Sequence, residues 1–262
     1  MKRRRPLGQH FLSDLHTARE IVRLARIRPG AHVVEIGPGK GVLTHDLIRA
    51  AGRVTALEID PVLCGLLQKK FGEFEQFRLI QADALKFDFS AFAPRFQVVS
   101  NLPYYAATPI LKRLIHYREY IERMTLMMQR EVADRIVAEP GTRAYGSLTV
   151  LVQFYCEVAR LMEVGREAFH PPPKVHSTVI QVVPRPAPPV EVKDPRRFFH
   201  LVQAAFFHKR KTLKNNLKGL KRQFEVDLSK IKQAGIDPER RAEDLSLSEF
   251  ALVANLLEPR HD

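Results

Sequence analysis

The segment from His32 to Gly41 reads HVVEIGPGKG, a short β-rich run that leads directly into three glycines at alternate positions. A nearly continuous apolar run is typical of a strand that helices cover on both faces. Gly37, Gly39 and Gly41 let the backbone turn sharply and approach a ligand at the carboxyl end of that strand, where doubly wound sheets bind ligands. No Gly-Lys-Ser/Thr follows, so the segment is not a P-loop. A purely structural turn is the alternative interpretation.

Further β-rich runs alternate with stretches that carry helical spacing of Leu, Ile, Val and Ala. The β-rich runs cover residues 32–36, 54–57, 77–80, 96–99 and 124–128. The helical stretches cover residues 42–51, 61–71, 109–117 and 131–138. Such alternation is typical of βαβ units, so we expect an α/β fold with a doubly wound, mostly parallel, Rossmann-like sheet.

A proline cluster marks a boundary in the second half of the chain. Four prolines lie among the six residues 184–189, where they can neither continue a helix nor join a central strand. We therefore predict an α/β domain over residues 1–184, which begins with a basic arm and helix over residues 1–30. Residues 190–262 are expected to form a small helical domain.

The charge of the chain is strongly and unevenly basic. Its 262 residues include 42 Lys or Arg and 29 Asp or Glu, a formal net charge of +13. Residues 1–30 hold eight basic and two acidic side chains, and residues 181–222 hold eleven and two. Such patches favour a polyanion such as nucleic acid as the partner, with solvated basic helices as the alternative. The cations expected to contact phosphates are Arg3, Arg4, Arg5, Lys209, Arg210, Lys211, Lys214, Lys218, Lys221 and Arg222.

The last seven of these cations are predicted to lie on one helix. Its apolar side would hold Leu213, Leu217 and Leu220, which recur at helical spacing. That arrangement would leave several cations on one accessible face, suited to RNA phosphates.

Several classes of protein are disfavoured by composition. No apolar run approaches the ~18 to 20 residues of a membrane span, and the basic arm is not followed by the apolar stretch of a signal peptide. Cys64 and Cys156 are too far apart for a metal clip and too few for a disulfide scaffold. The ten histidines show no metal-ligand spacing. We therefore expect a cytoplasmic, monomeric protein that needs no metal.

Polar side chains follow three successive strands after the glycine turn. Glu58 ends the second predicted strand, where a carboxylate can accept both ribose hydroxyls of a nucleoside. Asp83 ends the third, where it can accept the amino group of an adenine, and Asn101 ends the fourth. A single carboxylate at a strand end is often only a cap or turn former. The series of three predicts a nucleoside cleft.

These residues resemble the class I methyltransferases that use S-adenosylmethionine. Asn101-Leu102-Pro103-Tyr104 is similar to the motif of enzymes that methylate exocyclic amino nitrogens, in the version of the RNA adenine dimethyltransferases. Residues 8–12 (GQHFL), 129–146 and 169–175 (FHPPPKV) further resemble the KsgA family of small-subunit rRNA adenine dimethyltransferases. The likeness spans about residues 6 to 220. Two positions depart from the family pattern. His10 stands where most bacterial members carry Asn, and His176 stands where Asp is expected.

The resemblance implies S-adenosylmethionine as the cofactor and two adjacent adenines near the 3′ end of small-subunit rRNA, within a pre-ribosomal particle, as the substrate. It implies N6,N6-dimethyladenosine as the product and a role in small-subunit biogenesis. The implied cofactor contacts are His10, Leu12, Gly37, Gly39, Gly41, Glu58, Ile59, Asp83, Ala84 and Asn101. The implied catalytic residues are Asn101, Leu102, Pro103, Tyr104 and Phe169, the last closing the target pocket from the opposite side. For Phe169, an ordinary core position is the alternative.

The chemistry of an amino-nitrogen site can also be argued from the residues alone. Adenine N6 is a poor nucleophile because its lone pair is delocalised into the ring. Two oxygens, from the Asn101 side chain and the Leu102 main chain, would accept its two N–H bonds and stabilise the developing positive charge. Pro103 offers no competing N–H and keeps Leu102 extended. Tyr104 offers a flat face for the flipped base.

Two other functions remain possible from the sequence. The first is a large-subunit rRNA adenine methyltransferase of the antibiotic-resistance type, although that branch usually has Ile in place of Leu102. The second is a ribosome-assembly or transcription factor that keeps the fold without catalysis. Damage at Asn101, Glu58 or Asp83 would favour this second function, and all three are intact.

Overall fold

The computed structural model describes residues 10–220 and 223–259. The predicted phosphate contacts at Arg3, Arg4, Arg5, Lys221 and Arg222 lie outside these described residues. The chain divides into two compact units. The first holds the residues up to 133 together with 157–184, and the second holds 134–156 together with the residues from 185 onward.

The first unit is built on a seven-stranded sheet. The strands of this part of the chain are β1 (Phe11–Leu12), β2 (His32–Ile36), β3 (Arg53–Glu58), β4 (Phe77–Gln81), β5 (Phe96–Asn101), β6 (Ile121–Gln129), β7 (Cys156–Val164), β8 (Phe169–His170) and β9 (Ser177–Pro184). The sheet order is β4-β3-β2-β5-β6-β9-β7, and β1 pairs with β8 in a separate ribbon. β2 to β6 run parallel to one another, whereas β9 pairs antiparallel with β6. The predicted α/β fold with a mostly parallel sheet is confirmed.

Helices flank the strands of this part of the chain, and those that follow β2, β3 and β5 lead to the next parallel strand. They are α1 (Leu15–Leu24), α2 (Val42–Ala50), α3 (Pro61–Phe71), α4 (Ala107–His116) and α5 (Arg130–Val137), the last running from the first unit into the second. The chain builds β2, β3 and β4 outward in one direction and then returns to place β5 on the other side of β2. This reversal creates a topological switch point at the carboxyl ends of β2 and β5, where open α/β sheets bind ligands.

The second unit is helical, with one short ribbon. Its elements are α6 (Ser147–Tyr155), α7 (Pro195–Ala205), α8 (Leu213–Leu217), β10 (Phe224–Glu225), α9 (Leu228–Gln233), α10 (Leu247–Leu256) and β11 (Glu258–Pro259). A division of the chain falls after Pro184, and residues 134–156, which the sequence analysis placed in the α/β domain, belong to the helical unit. The reason is apolar packing: Phe154 on α6 stacks on Phe198 of α7 at 4.9 Å between ring centroids. Both rings lie in one buried cluster with Phe250.

The predicted helix from Lys209 to Arg222 is wrong in its first part. α7 ends at Ala205 and α8 begins only at Leu213, so Lys209, Arg210 and Lys211 lie in a connecting loop. The amide of Asn216 turns back to bond the carbonyl oxygens of Ala205 and His208 and so occupies the gap between the two helices. The apolar side of the shorter helical segment matches the prediction, since Leu213, Leu217 and Leu220 are all buried. In the described ranges, no helix is long and apolar enough to cross a membrane.

Candidate active site

A cleft of about 850 Å³ opens at the carboxyl edge of the parallel sheet in the first unit. Its volume is in the range of small-molecule and cofactor sites. Its walls come from the segments that follow β2, β3, β4, β5 and β6, together with β1. The series of strand ends singled out in the sequence therefore converges on one cavity. The predicted residues that line it are His10, Leu12, Gly37, Gly39, Glu58, Ile59, Asp83, Ala84, Asn101, Leu102, Pro103 and Tyr104.

The glycine turn forms the floor of this cleft. Gly37, Gly39 and Gly41 all have positive φ angles, of 66°, 59° and 80°, a conformation that side chains disfavour. A Cβ atom on Gly39 would lie 2.9 Å from the ring of Phe11, so the turn also needs its small size. Gly41 is different, because it does not line the cleft. It caps α2, and a Cβ there would lie 2.4 Å from the ring of Phe71.

Glu58 is held rigidly beside the glycine turn. It is 4% exposed, and its carboxylate accepts main-chain N–H groups of Ile59 at 2.8 Å and Asp60 at 3.0 Å. Its other oxygen accepts the N–H of Gly39 at 3.3 Å. A carboxylate offers about four lone-pair positions, so these three bonds fix its direction and leave it able to accept from a ligand.

Asp83 and its neighbours form the next part of the wall. The Asp83 carboxylate accepts the N–H of Leu85 at 2.9 Å, which holds the turn after β4. Ile59 and Ala84 also line the cleft and provide apolar surface beside the two carboxylates. Carboxylates next to an apolar wall suit a nucleoside with a polar sugar and a flat base.

Asn101 places an unpaired polar atom at the site. Its Oδ1 atom is buried and has no hydrogen-bond partner in the described chain. Ser100 just before it accepts the N–H of Ile36 at 2.8 Å, and Leu102 just after it donates to the carbonyl of Met127 at 3.0 Å. These bonds hold the end of β5 against both neighbouring strands. A buried acceptor without a partner costs about 1 to 3 kcal/mol, and because Asn101 lines the cleft, a bound ligand could supply the missing donor.

Tyr104 is held in place from two sides. Its hydroxyl lies 2.6 Å from the hydroxyl of Ser177 at the start of β9. Its ring lies 6.0 Å from the ring of His10 at an angle of 35°. His10 is itself fixed by a 2.7 Å hydrogen bond between its Nδ1 and the carbonyl of Pro171. Burial raises the pKa of the Tyr104 phenol, and the bond to Ser177 opposes that rise, so the phenol stays neutral at physiological pH.

The structure does not bring Phe169 to the cleft. It is 3% exposed and belongs to the hydrophobic cluster of the first unit, where β8 pairs it with Leu12 of β1. This is the core position that the sequence left open as the alternative. Tyr105, by contrast, lines the cleft and is more than half exposed.

The cations of the second unit differ in their availability. The side chains of Lys209, Arg210, Lys211 and Lys218 are exposed. Lys214 forms an ion pair with Glu239, so much of its charge is already compensated. Among the described residues, no cluster of three or more His, Cys, Asp or Glu side chains suits a metal ion.

Two further polar residues of the cleft escaped the sequence analysis. Glu35 lies inside β2, is almost fully buried and accepts the hydroxyl of Thr44 at 2.6 Å. Burial raises the pKa of its carboxyl to about 8, with the Thr44 bond opposing and the nearby Glu58 reinforcing the rise. In the sequence, the sign of this buried carboxyl is a charged residue within an otherwise apolar strand. Gln129 ends β6 and lines the cleft, so the rule of polar strand ends extends to a fourth strand.

The residues of the cleft fit S-adenosylmethionine. Gly37 and Gly39 line the cleft without side chains, so the main chain can approach a ligand closely there. Glu58 and Asp83 place carboxylate oxygens in the cleft, the type of acceptor that ribose hydroxyls and an exocyclic amino group require, and their negative charge complements a sulfonium. The Oδ1 atom of Asn101 accepts no hydrogen bond from the described chain, so it remains available to a ligand.

A mostly parallel sheet with a glycine turn and acidic strand ends of this kind defines a class I methyltransferase. Two solved structures share nearly the whole fold: a dimethyladenosine transferase from Plasmodium falciparum (TM-score 0.78, 26% identity, 93% of this chain and 96% of that one) and the 23S rRNA methyltransferase ErmE (TM-score 0.72, 27% identity, 93% and 98%).

The sequence comparisons narrow the class. The family model described as ribosomal RNA adenine dimethylase matches residues 1–258. The protein named ribosomal RNA small subunit methyltransferase A is 44% identical in Geobacillus thermodenitrificans, over 98% of this chain and 91% of the relative. Its counterpart in Hahella chejuensis is 41% identical over 96% and 92%. The chain belongs to the ribosomal RNA adenine dimethylase family, and it is an S-adenosylmethionine-dependent rRNA adenine methyltransferase.

Proposed function

We propose that this enzyme transfers methyl groups to N6 of two adjacent adenines near the 3′ end of small-subunit rRNA, giving N6,N6-dimethyladenosine, as a step in small-subunit biogenesis. The observation that carries the chemistry is the buried, unpartnered Oδ1 of Asn101 beside the fixed ring of Tyr104. The choice of the small subunit is supported by relatives above 40% identity that bear a small-subunit name.

Asn101 and Leu102 act on the target nitrogen. The Oδ1 atom of Asn101 accepts one N–H of the adenine amino group, and the main-chain carbonyl of Leu102 accepts the other. Both oxygens favour a pyramidal nitrogen and stabilise the positive charge that grows on it. Pro103 adds no competing donor at this point. A general base is not required, since the nitrogen loses a proton readily once it is positively charged.

Tyr104 holds the target adenine after that base has flipped out of the RNA base stack. Stacking on an aromatic side chain is worth about 1 to 3 kcal/mol per base, which offsets part of the cost of flipping. The hydrogen bond with Ser177 and the contact with the ring of His10 fix the plane of the Tyr104 ring, so the target base stacks on a preformed surface. Alignment of the reacting atoms supplies roughly 7 to 11 kcal/mol in favourable intramolecular reactions.

Residues that follow β2, β3 and β4 would hold the cofactor. Glu58 would accept the ribose hydroxyls and Asp83 the adenine amino group, while Ile59 and Ala84 would contact the base. When bound, S-adenosylmethionine supplies an electrophilic methyl group on a sulfonium. Gly37 and Gly39 let the main chain approach it closely, and Pro103 lies within contact distance of where a Cβ on Gly37 would be.

The second unit binds the RNA backbone through its exposed cations. Lys209, Arg210, Lys211 and Lys218 would contact phosphates, with a smaller share for Lys214 because of its ion pair with Glu239. The enzyme would act as a monomer on a pre-ribosomal particle in the cytoplasm. The arm around Arg3, Arg4 and Arg5 would add further phosphate contacts.

Mapping of the product tests this function. Purified enzyme and labelled cofactor are incubated with ribosomal subunits that lack N6-dimethylated adenines, and methylated nucleotides are located by mass spectrometry. We expect two adjacent dimethyladenosines in the small-subunit rRNA. Methylation confined to the large-subunit rRNA would instead assign the enzyme to the other branch, which the likeness to ErmE makes the natural rival.

A further inference from the structure

Phe207 lies in the loop 206–212 of the second unit with its ring in solvent. It is 77% exposed, among the most exposed of the large apolar side chains that the structure describes. The adjacent Phe206 turns inward instead, and its ring lies 5.6 Å from that of Phe250 and 6.1 Å from that of Tyr145. Core packing therefore accounts for Phe206 but not for Phe207.

The residues that follow Phe207 are charged or able to bind a phosphate. His208, Lys209, Arg210 and Lys211 are all exposed. The ring of His208 meets that of Phe207 edge to face at 4.6 Å. Within the described ranges, no carboxylate pairs with any of the three cations, in contrast to Lys214, which lies three residues beyond Lys211 and pairs with Glu239. A single exposed phenylalanine is common on protein surfaces, but one next to three uncompensated cations suits a nucleic acid.

The loop has a fixed shape before any partner arrives. The Nδ2 atom of Asn216, a residue 6% exposed, donates to the carbonyls of Ala205 at 2.7 Å and His208 at 3.1 Å. Its Oδ1 atom accepts the N–H of His208 at 3.2 Å. The N–H of Lys211 closes the turn on the carbonyl of His208 at 3.0 Å. Because the loop is already ordered, little entropy remains to be lost when it binds.

We infer that Phe207 is a stacking surface for an unpaired base of the RNA, with the neighbouring cations on the phosphates beside that base. The inference rests on the proposed function, since it takes RNA as the partner. An aromatic ring stacks on any base because each has a flat π-face, and the contact typically changes affinity by about five- to 150-fold. A base in a duplex offers no free face, so the nucleotide lies in a loop, bulge or single strand.

Binding of the full chain to small-subunit particles that lack the methyl groups tests this inference. Dissociation constants are measured between 50 and 200 mM salt for the parent, F207A, F207W and F207L. We expect F207A and F207L to bind at least fivefold more weakly at every salt concentration, and F207W to bind like the parent. The dependence on salt should not change, because the ring neutralises no phosphate. The matched control is L252A, which removes a half-exposed apolar side chain from α10 and should leave binding unaltered.

Three outcomes would overturn the inference. If F207A binds with an affinity within twofold of the parent, Phe207 makes no stacking contact. Full affinity of F207L indicates an apolar contact with a ribosomal protein, since leucine has no flat face. If joint replacement of Lys209, Arg210 and Lys211 by Ala leaves the salt dependence of the dissociation constant unchanged, the loop does not contact the RNA. That last result contradicts the phosphate contacts of the proposed function, whereas the first two leave those contacts standing.

Discussion

The hydroxyls of Tyr104 and Ser177 lie 2.6 Å apart, although 73 residues separate them in the chain. Tyr104 follows β5 in the cleft, and Ser177 is the fully buried first residue of β9. The antiparallel strand next to β6 therefore fixes the ring that we propose as the support of the target base. This contact also gives a function to the segment around His176, whose role the sequence did not reveal.

Ser177→Ala should slow methyl transfer about fivefold, as the loss of one hydrogen bond of about 1 kcal/mol predicts. Tyr104→Phe removes the same bond from the other side and should have the same effect. The double variant should be no slower than either single variant, because only one interaction is lost. Single-turnover transfer of a labelled methyl group measures all three rates.

Non-additive effects of the two substitutions on the rate distinguish a positioning role of this hydrogen bond from a general disturbance of the structure. If the two effects multiply in the double variant, the bond does not act as a unit and Ser177 does not position Tyr104. Affinity for S-adenosylmethionine should stay at the parental value in all three variants, since neither hydroxyl belongs to the proposed cofactor contacts.

Glu58→Ala should reduce the affinity for S-adenosylmethionine about tenfold or more. On the proposed assignment, the change leaves two ribose hydroxyls without an acceptor in a buried site, which costs roughly 1 to 3 kcal/mol. It also releases the N–H of Gly39 and so loosens the glycine turn. Calorimetry measures the affinity, and Glu73→Ala, which removes an exposed carboxylate of the same unit, is the control. Unchanged affinity of the Glu58 variant would contradict the assignment.

The sequence was most informative where local rules and topology agree. Apolar runs and helical spacing gave β2 and α3 with the bounds that the structure shows. Parallel strands share one carboxyl edge, so Glu58, Asp83 and Asn101 had to approach each other once the sheet was recognised. The cleft follows from these two facts without any knowledge of side-chain packing.

Contacts between distant segments were not predictable in this way. His10, Tyr104 and Ser177 come together only because β1 pairs with β8 and β9 pairs with β6. The break before α8 was missed for a similar reason. Lys and Arg are good helix formers, so residues 209–211 fit a helical pattern, while the bonds of Asn216 that organise the loop leave no periodic signal.

The buried Glu35 predicts a pH dependence of stability. Its carboxyl has a pKa of about 8 in the folded chain, against 4.5 when exposed. Between these values the folded state holds a proton that the unfolded state has released, so the free energy of unfolding falls as pH rises. His32 acts in the opposite direction, because burial lowers its pKa from 6.5 to about 4. The contribution of His32 to the free energy of unfolding no longer changes above pH 6.5. Between pH 6.5 and 8, the pH dependence from these two groups therefore comes from Glu35 alone.

Urea unfolding between pH 6.5 and 8 tests this linkage. The parent should lose stability with rising pH by at most about 1.4 kcal/mol per pH unit from this group. Glu35→Gln keeps an oxygen for the Thr44 hydroxyl but cannot ionise, so its stability should be flatter with pH. His32→Gln should keep the parental slope in this window. An equal slope for the parent and Glu35→Gln would show that Glu35 does not titrate there.

Asn101 offers the most direct test of the proposed chemistry. Loss of one preorganised electrostatic contact typically reduces a rate by about 10² to 10³. Asn101→Ala should therefore bind small-subunit particles like the parent but methylate them at least a hundredfold more slowly, even at saturating cofactor. Asn101→Asp keeps an acceptor oxygen at the same place and should retain more activity than Ala. Single-turnover transfer to unmethylated particles measures both, and a parental rate for Asn101→Ala would mean that another group accepts the N6 hydrogens.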